Sequence, residues 1–115
     1  QLQLSPEIFQ IPLLDLLGRA FLIRIAYDRY ILDREHYEFL SAQITSYEKY
    51  VANQALSTEK RNAELNWIRF VRKLASVKSF DKKVSDSNKA ALLIKAESLQ
   101  PVVYRKWLKE RIMSL

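Results

Sequence analysis

The sequence predicts an all-α protein: antiparallel helical hairpins in a stack or bundle of about five helices. Two observations carry that prediction. The chain has one glycine and three prolines in 115 residues, whereas a sheet protein of this length needs many turns built on residues that tolerate positive φ. Its apolar residues also recur at steps of three and four, the spacing that lines side chains along one side of a helix. A hydrophobic content of 49%, with 2 Trp, 6 Tyr and 5 Phe, excludes a disordered chain on hydropathy grounds. The length fits one domain able to bury about two thirds of its unfolded surface.

From Leu13 to Asp33 apolar residues cover most of a helical circumference, so this helix is expected to be buried on more than one side. Pro12 suits its first turn, where a missing N–H costs nothing. Its charges stand four apart, Asp15 with Arg19, Arg24 with Asp28 and Arg29 with Asp33, the spacing of helix-surface ion pairs. No apolar run reaches the roughly 18 residues of a membrane span, because Asp15, Arg19, Arg24 and Asp28 interrupt the most apolar region.

Tyr37, Leu40, Ile44, Tyr47 and Val51 lie along one face of a second helix of about 17 residues, with Phe39 and Tyr50 widening that face. "NQALST" then reads as a stop and a new start, with Ser57 or Thr58 as cap and Glu59 favoured by the helix dipole. The third helix is expected over 57–77, roughly 30 Å long. "SFDKKVSDSN" at 79–88 is the polar connector. Ser87 or Asp86 should cap a short helix through "KAALLIKAESL", and Pro101 should open a last helix carrying Tyr104, Trp107, Leu108 and Ile112 on one side.

Within the third helix, "NWIRFVRKLASVKS" raises the question of nucleic-acid binding. With Arg69 at zero and about 100° per residue, Lys73 and Arg72 fall at about 40° and 300°, while Trp67, Phe70, Val71 and Leu74 fall between about 100° and 200°. Single-strand binding needs stacking aromatics and cations on one surface; here they point opposite ways, so the aromatics are expected in the core and the cations in water. Charge is nevertheless uneven: residues 1–57 hold five basic and seven acidic side chains, and 58–115 hold fourteen and six. That basic half, with Arg69, Arg72, Lys73, Lys82 and Lys83 as its candidate surface, makes nucleic-acid binding the alternative function.

Catalytic equipment is sparse. With no cysteine and one histidine, His36, a zinc site would need a carboxylate-dominated ligand set that zinc does not favour. Glu35, His36 and Glu38 are too close in sequence to converge from one helix. A Ser or Thr nucleophile would need that same histidine. One glycine cannot build a phosphate-cradling loop. No catalytic, cofactor-binding or metal-binding residue is expected, and the chain is not expected to be an enzyme.

The run "AFLIRIAYDRYILDREHYEFLSAQITSYEKYV", followed by "LSTEKRNAELNWIRFVRKLAS" with Asn66 to Phe70 and a closing helix with Trp107 and Leu108, resembles the C-terminal region of uncharacterised bacterial tetratricopeptide-like helical-repeat proteins. The resemblance covers about residues 20–112 and implies a protein-interaction scaffold without assigned chemistry. Departures are plain: Leu40 and Tyr47 stand where that repeat has small residues, Ala52 where it has proline, and "LDREHYE" where it has a glycine before the turn. No groove residue carries over. Solenoid repeats bury their faces against neighbours, and end repeats keep a polar outer side. The first helix has almost no polar side, so Leu13, Leu17 and Phe21 form the expected partner face, for another protein, for preceding repeats of a larger chain, or for a second copy in a homodimer. Arg105, Lys106, Lys109 and Glu110 give the last helix the solvated back of a C-terminal cap.

Overall fold

The computed structural model describes residues 5–80 and 83–115, with side chains over 13–78 and 83–115. The chain is all-α: α1 (Ser5–Leu32), a 3₁₀ turn (Arg34–His36), α2 (Tyr37–Asn53), α3 (Thr58–Phe80), α4 (Asp86–Ser98) and α5 (Arg105–Met113).

α1 is already helical from Ser5, the first described residue, well before the expected Leu13. Pro12 instead lies inside the helix, where it removes one intrahelical hydrogen bond. At the other end the Asp33 carboxylate accepts from Glu35 N–H at 3.0 Å and starts the 3₁₀ turn that reverses the chain. Ser57 caps α3 by accepting from Lys60 N–H at 3.1 Å. Ser85, rather than Asp86 or Ser87, caps α4 by accepting from Asn88 N–H at 3.2 Å.

α1 and α2 run antiparallel. Tyr30 and Tyr37 rings lie 5.4 Å apart at one end, and Tyr50 Oη donates to Asp15 Oδ2 at 2.6 Å at the other. α2 then packs on α3, with the turn held by Arg61 Nη2 donating to Gln54 O at 2.8 Å. Leu40, Ile44, Tyr47 and Val51 form the buried face of α2. Phe39 does not widen it: at 57% exposure it points outward, because a residue one step before Leu40 is turned about 100° from the buried stripe.

The last helix corrects a further expectation. Pro101, in a cis peptide bond with Gln100, does not open it, and α5 begins only at Arg105. Residues 99–104 are tied sideways to α3 instead: Asn66 Nδ2 donates to Pro101 O at 2.8 Å and Val103 N–H to Ala63 O at 3.4 Å. Arg105 satisfies the carbonyls left at the end of α4, donating to Glu97 O at 2.8 Å and Leu99 O at 2.6 Å, as helix ends require.

Trp67 is fully buried and meets Tyr47, Tyr104 and Trp107 edge to face at 5.6, 4.9 and 5.9 Å. Trp107 in turn meets Tyr27 at 5.4 Å. Tyr104 has φ 55°, a left-handed conformation that costs an aromatic residue about 1 kcal/mol or more. Contacts with Trp67 and with the Arg24 guanidinium, 4.8 Å from its ring centroid, hold it there.

Candidate interaction surface

α1 has two apolar faces, and the fold covers one. With Leu17 at zero, Leu16, Ala20, Ile23, Ala26, Tyr27 and Tyr30 fall between about 180° and 300° and are buried against α2, α3 and α5. Leu13, Leu14, Leu17, Phe21, Leu22 and Ile25 fall between about 320° and 140° through zero, and each is 40–62% exposed. The expected partner face of Leu13, Leu17 and Phe21 is thus one continuous strip, extended by Leu14, Leu22 and Ile25. These three belong to the same near-complete apolar circumference, but only the packing of α2 and α5 shows which side stays open. The strip is on the order of 500 Å², in the upper range of apolar patches on monomeric proteins.

Its charged borders are fixed by tertiary partners. Asp15 and Arg19 pair as the spacing predicts, at 3.3 Å, and Arg19 also lies 3.9 Å from the centroid of the Tyr50 ring. The other expected helix pairs are replaced. Asp28 receives two hydrogen bonds from Arg111, at 2.7 and 2.9 Å, while Arg24 stacks on Tyr104 and Asp33 is engaged in its turn. The Tyr50 hydroxyl, then Arg19, hold the Asp15 carboxyl below its ordinary value of 3.8. A carboxylate with a lowered folded-state pKa stabilises the fold above its unfolded value, and that contribution is lost as pH falls through the folded value. In Tyr50→Phe the Asp15 pKa, followed by carboxyl NMR titration, should rise back toward 3.8; an unchanged value would show that Tyr50 does not set it.

Between α2 and α3 lies a buried polar group. Glu64 is fully buried on α3; Tyr47 Oη donates to its Oε1 at 2.5 Å. Lys60 Nζ lies 2.8 Å from Oε2 as a charge contact rather than an aligned hydrogen bond. Burial first, and the Glu64 contact second, push the Tyr47 hydroxyl pKa far above its ordinary range.

The candidate basic surface does not form one patch. Trp67 and Phe70 are buried while Arg69 and Lys73 are exposed, as the helical wheel requires. Arg72 turns toward α2, donating to Glu48 Oε1 at 2.7 Å and Thr45 Oγ1 at 3.0 Å. Lys83 is exposed in the connector, and Lys82 lies outside the described residues. Lys95, which periodicity within α4 does not single out, joins Arg69 and Lys73 around a groove between α3 and α4.

His36 is half exposed, with Nε2 3.9 Å from Asp33 Oδ2. Among the described residues no three His, Cys, Asp or Glu side chains cluster as metal ligands, and no helix is long and apolar enough to cross a membrane. No protein-family model, curated protein or solved structure matches this chain.

Proposed function

We propose that this chain is a noncatalytic protein-interaction module, a tetratricopeptide-like stack of helical hairpins whose outer α1 face receives an apolar helical surface of a partner. The observation that carries this is the strip from Leu13 to Ile25, exposed on a helix whose opposite side is fully packed. A second helix suits it: twelve steps of about 1.5 Å from Leu13 to Ile25 make a straight face of about 18 Å, or roughly three turns, and an amphipathic helix recognises such a face through anchors at matching spacing. Antiparallel α1–α2 and α2–α3 pairing through short turns supports the hairpin stack. Nucleic acid has less support, because Arg72 is held on Glu48 and the aromatics of α3 are buried.

Two copies docked through this strip would bury on the order of 1,000 Å² in total, near the lower limit for a specific interface. The isolated chain should therefore associate weakly with itself. Sedimentation should show mass rising with concentration, with ANS fluorescence enhanced by the open face. Leu17→Glu/Phe21→Glu should abolish both while circular dichroism and the unfolding midpoint stay close to wild type, since both side chains are about half exposed. A wild-type chain that stays monomeric at every concentration and does not bind ANS would sink the proposal.

A further inference from the structure

The groove between α3 and α4 has a volume of about 460 Å³ and is lined by Asn66, Arg69, Lys73, Lys95, Ser98 and Gln100, among others. Among the described residues no carboxylate lines it. We propose that this groove binds a phosphomonoester dianion, held by Arg69, Lys73 and Lys95.

Three cations from two helices converge on one open volume with no counter-charge among the described residues that line it, an arrangement that costs Coulomb energy unless an anion fills it. Lys73 registers that cost. Contact with Lys95 first, then partial burial, lower its pKa from the usual lysine value.

The neighbouring groups that could neutralise the cluster are engaged elsewhere. Glu97, the acid closest in sequence on α4, is paired with Lys109 at 2.7 Å. The carbonyls of Glu97 and Leu99 at the end of α4 are taken by Arg105. The helix dipole contributes only about half a negative charge there, too little for three cations.

Charge also selects the ligand class. One carboxylate would leave two cations unmatched, whereas a phosphomonoester near −2 leaves one. Arg69 can offer its planar fork to two phosphate oxygens, with the lysines as point charges beside it. A nucleic-acid strand places one charge on each phosphate and needs a track of cations along its length. Arg72, the cation between Arg69 and Lys73 on α3, is instead turned onto Glu48, so the described cations of α3 form no continuous track and the cluster suits a single terminal phosphate.

The test is an amide NMR titration of the whole chain with phenyl phosphate, with a phosphoserine peptide of otherwise neutral sequence, and with oligothymidylate. Phenyl phosphate should shift signals confined to 66–73 and 95–100. Lys73→Gln/Lys95→Gln should weaken binding at least roughly tenfold, the loss expected on removing charge-assisted bonds. Arg72→Gln should bind as wild type does. Tighter binding of the phosphopeptide than of phenyl phosphate would place the phosphate on a protein, and equal binding on a small molecule; either supports the site. No shift with phenyl phosphate or phosphopeptide at millimolar concentration would overturn it. So would binding of oligothymidylate alone with steep salt dependence, which would make the groove part of a nucleic-acid surface. All the substituted side chains reach solvent, so the variants should keep the wild-type circular dichroism spectrum.

Discussion

Trp67→Ala is expected to cost about 3–5 kcal/mol, the range for removing a large aromatic from a packed core. Small domains hold only about 5–15 kcal/mol in total, so the thermal midpoint should fall by roughly 15 °C or more. The reason lies in what converges on this one side chain. Trp67 is fully buried and touches Tyr47 of α2, Tyr104 before α5 and Trp107 within α5. Its loss would open a void where three segments meet, and side chains of that size cannot collapse into it without moving whole helices. It would also remove the ring that holds Tyr104 in its left-handed conformation. Trp67→Phe should cost much less. It keeps a ring in the cluster and removes the indole Nε1–H, which is buried without a hydrogen-bond partner among the described residues. Urea unfolding of both variants is the measurement. A Trp67→Ala chain within about 1 kcal/mol of wild type would show that the aromatic cluster is not the centre of the fold.

The second large effect is expected at the buried pair on α2 and α3. Glu64→Leu should cost about 2–3 kcal/mol, because it leaves the Tyr47 hydroxyl buried without its acceptor. Tyr47→Phe should also destabilise, since it leaves the fully buried Glu64 carboxyl with only the charge contact to Lys60. The double variant Tyr47→Phe/Glu64→Leu should be closer to wild type than the sum of the singles, as replacing both buried partners with apolar groups is often nearly neutral. A thermodynamic cycle from urea unfolding reads this as a coupling of about 1–3 kcal/mol. Additive effects would mean that the 2.5 Å contact carries no energy of its own.

Period and punctuation largely determine this fold. Steps of three and four from Tyr37 to Val51 placed α2 at its observed length of 17 residues. "NQALST" located the break before α3, with Ser57 as its cap. The opposed faces of Trp67 with Phe70 and Arg69 with Lys73 followed from 100° per residue alone and recur in the burial of each side chain. Local signals misplaced boundaries, as at Pro12, which lies inside α1, and at α4, where Ser85 caps in place of Asp86. They also failed at Pro101, where hydrogen bonds to Asn66 and Ala63 on α3 keep the chain out of a helix until Arg105.

The candidate surfaces divide in the same way. That α1 is apolar nearly all round was visible in its residues; which side remains open was decided by where α2, α3 and α5 dock. Asp28 had Arg24 as its partner four residues away, yet it binds Arg111 of α5. Arg72 and Lys73 are adjacent in the chain, yet one meets Glu48 on α2 and the other Lys95 on α4. Spacing along one helix specifies direction, because the backbone repeats every 3.6 residues. Partners 24 or 83 residues away are set only when helices pack, because no local period encodes which neighbour a face will meet.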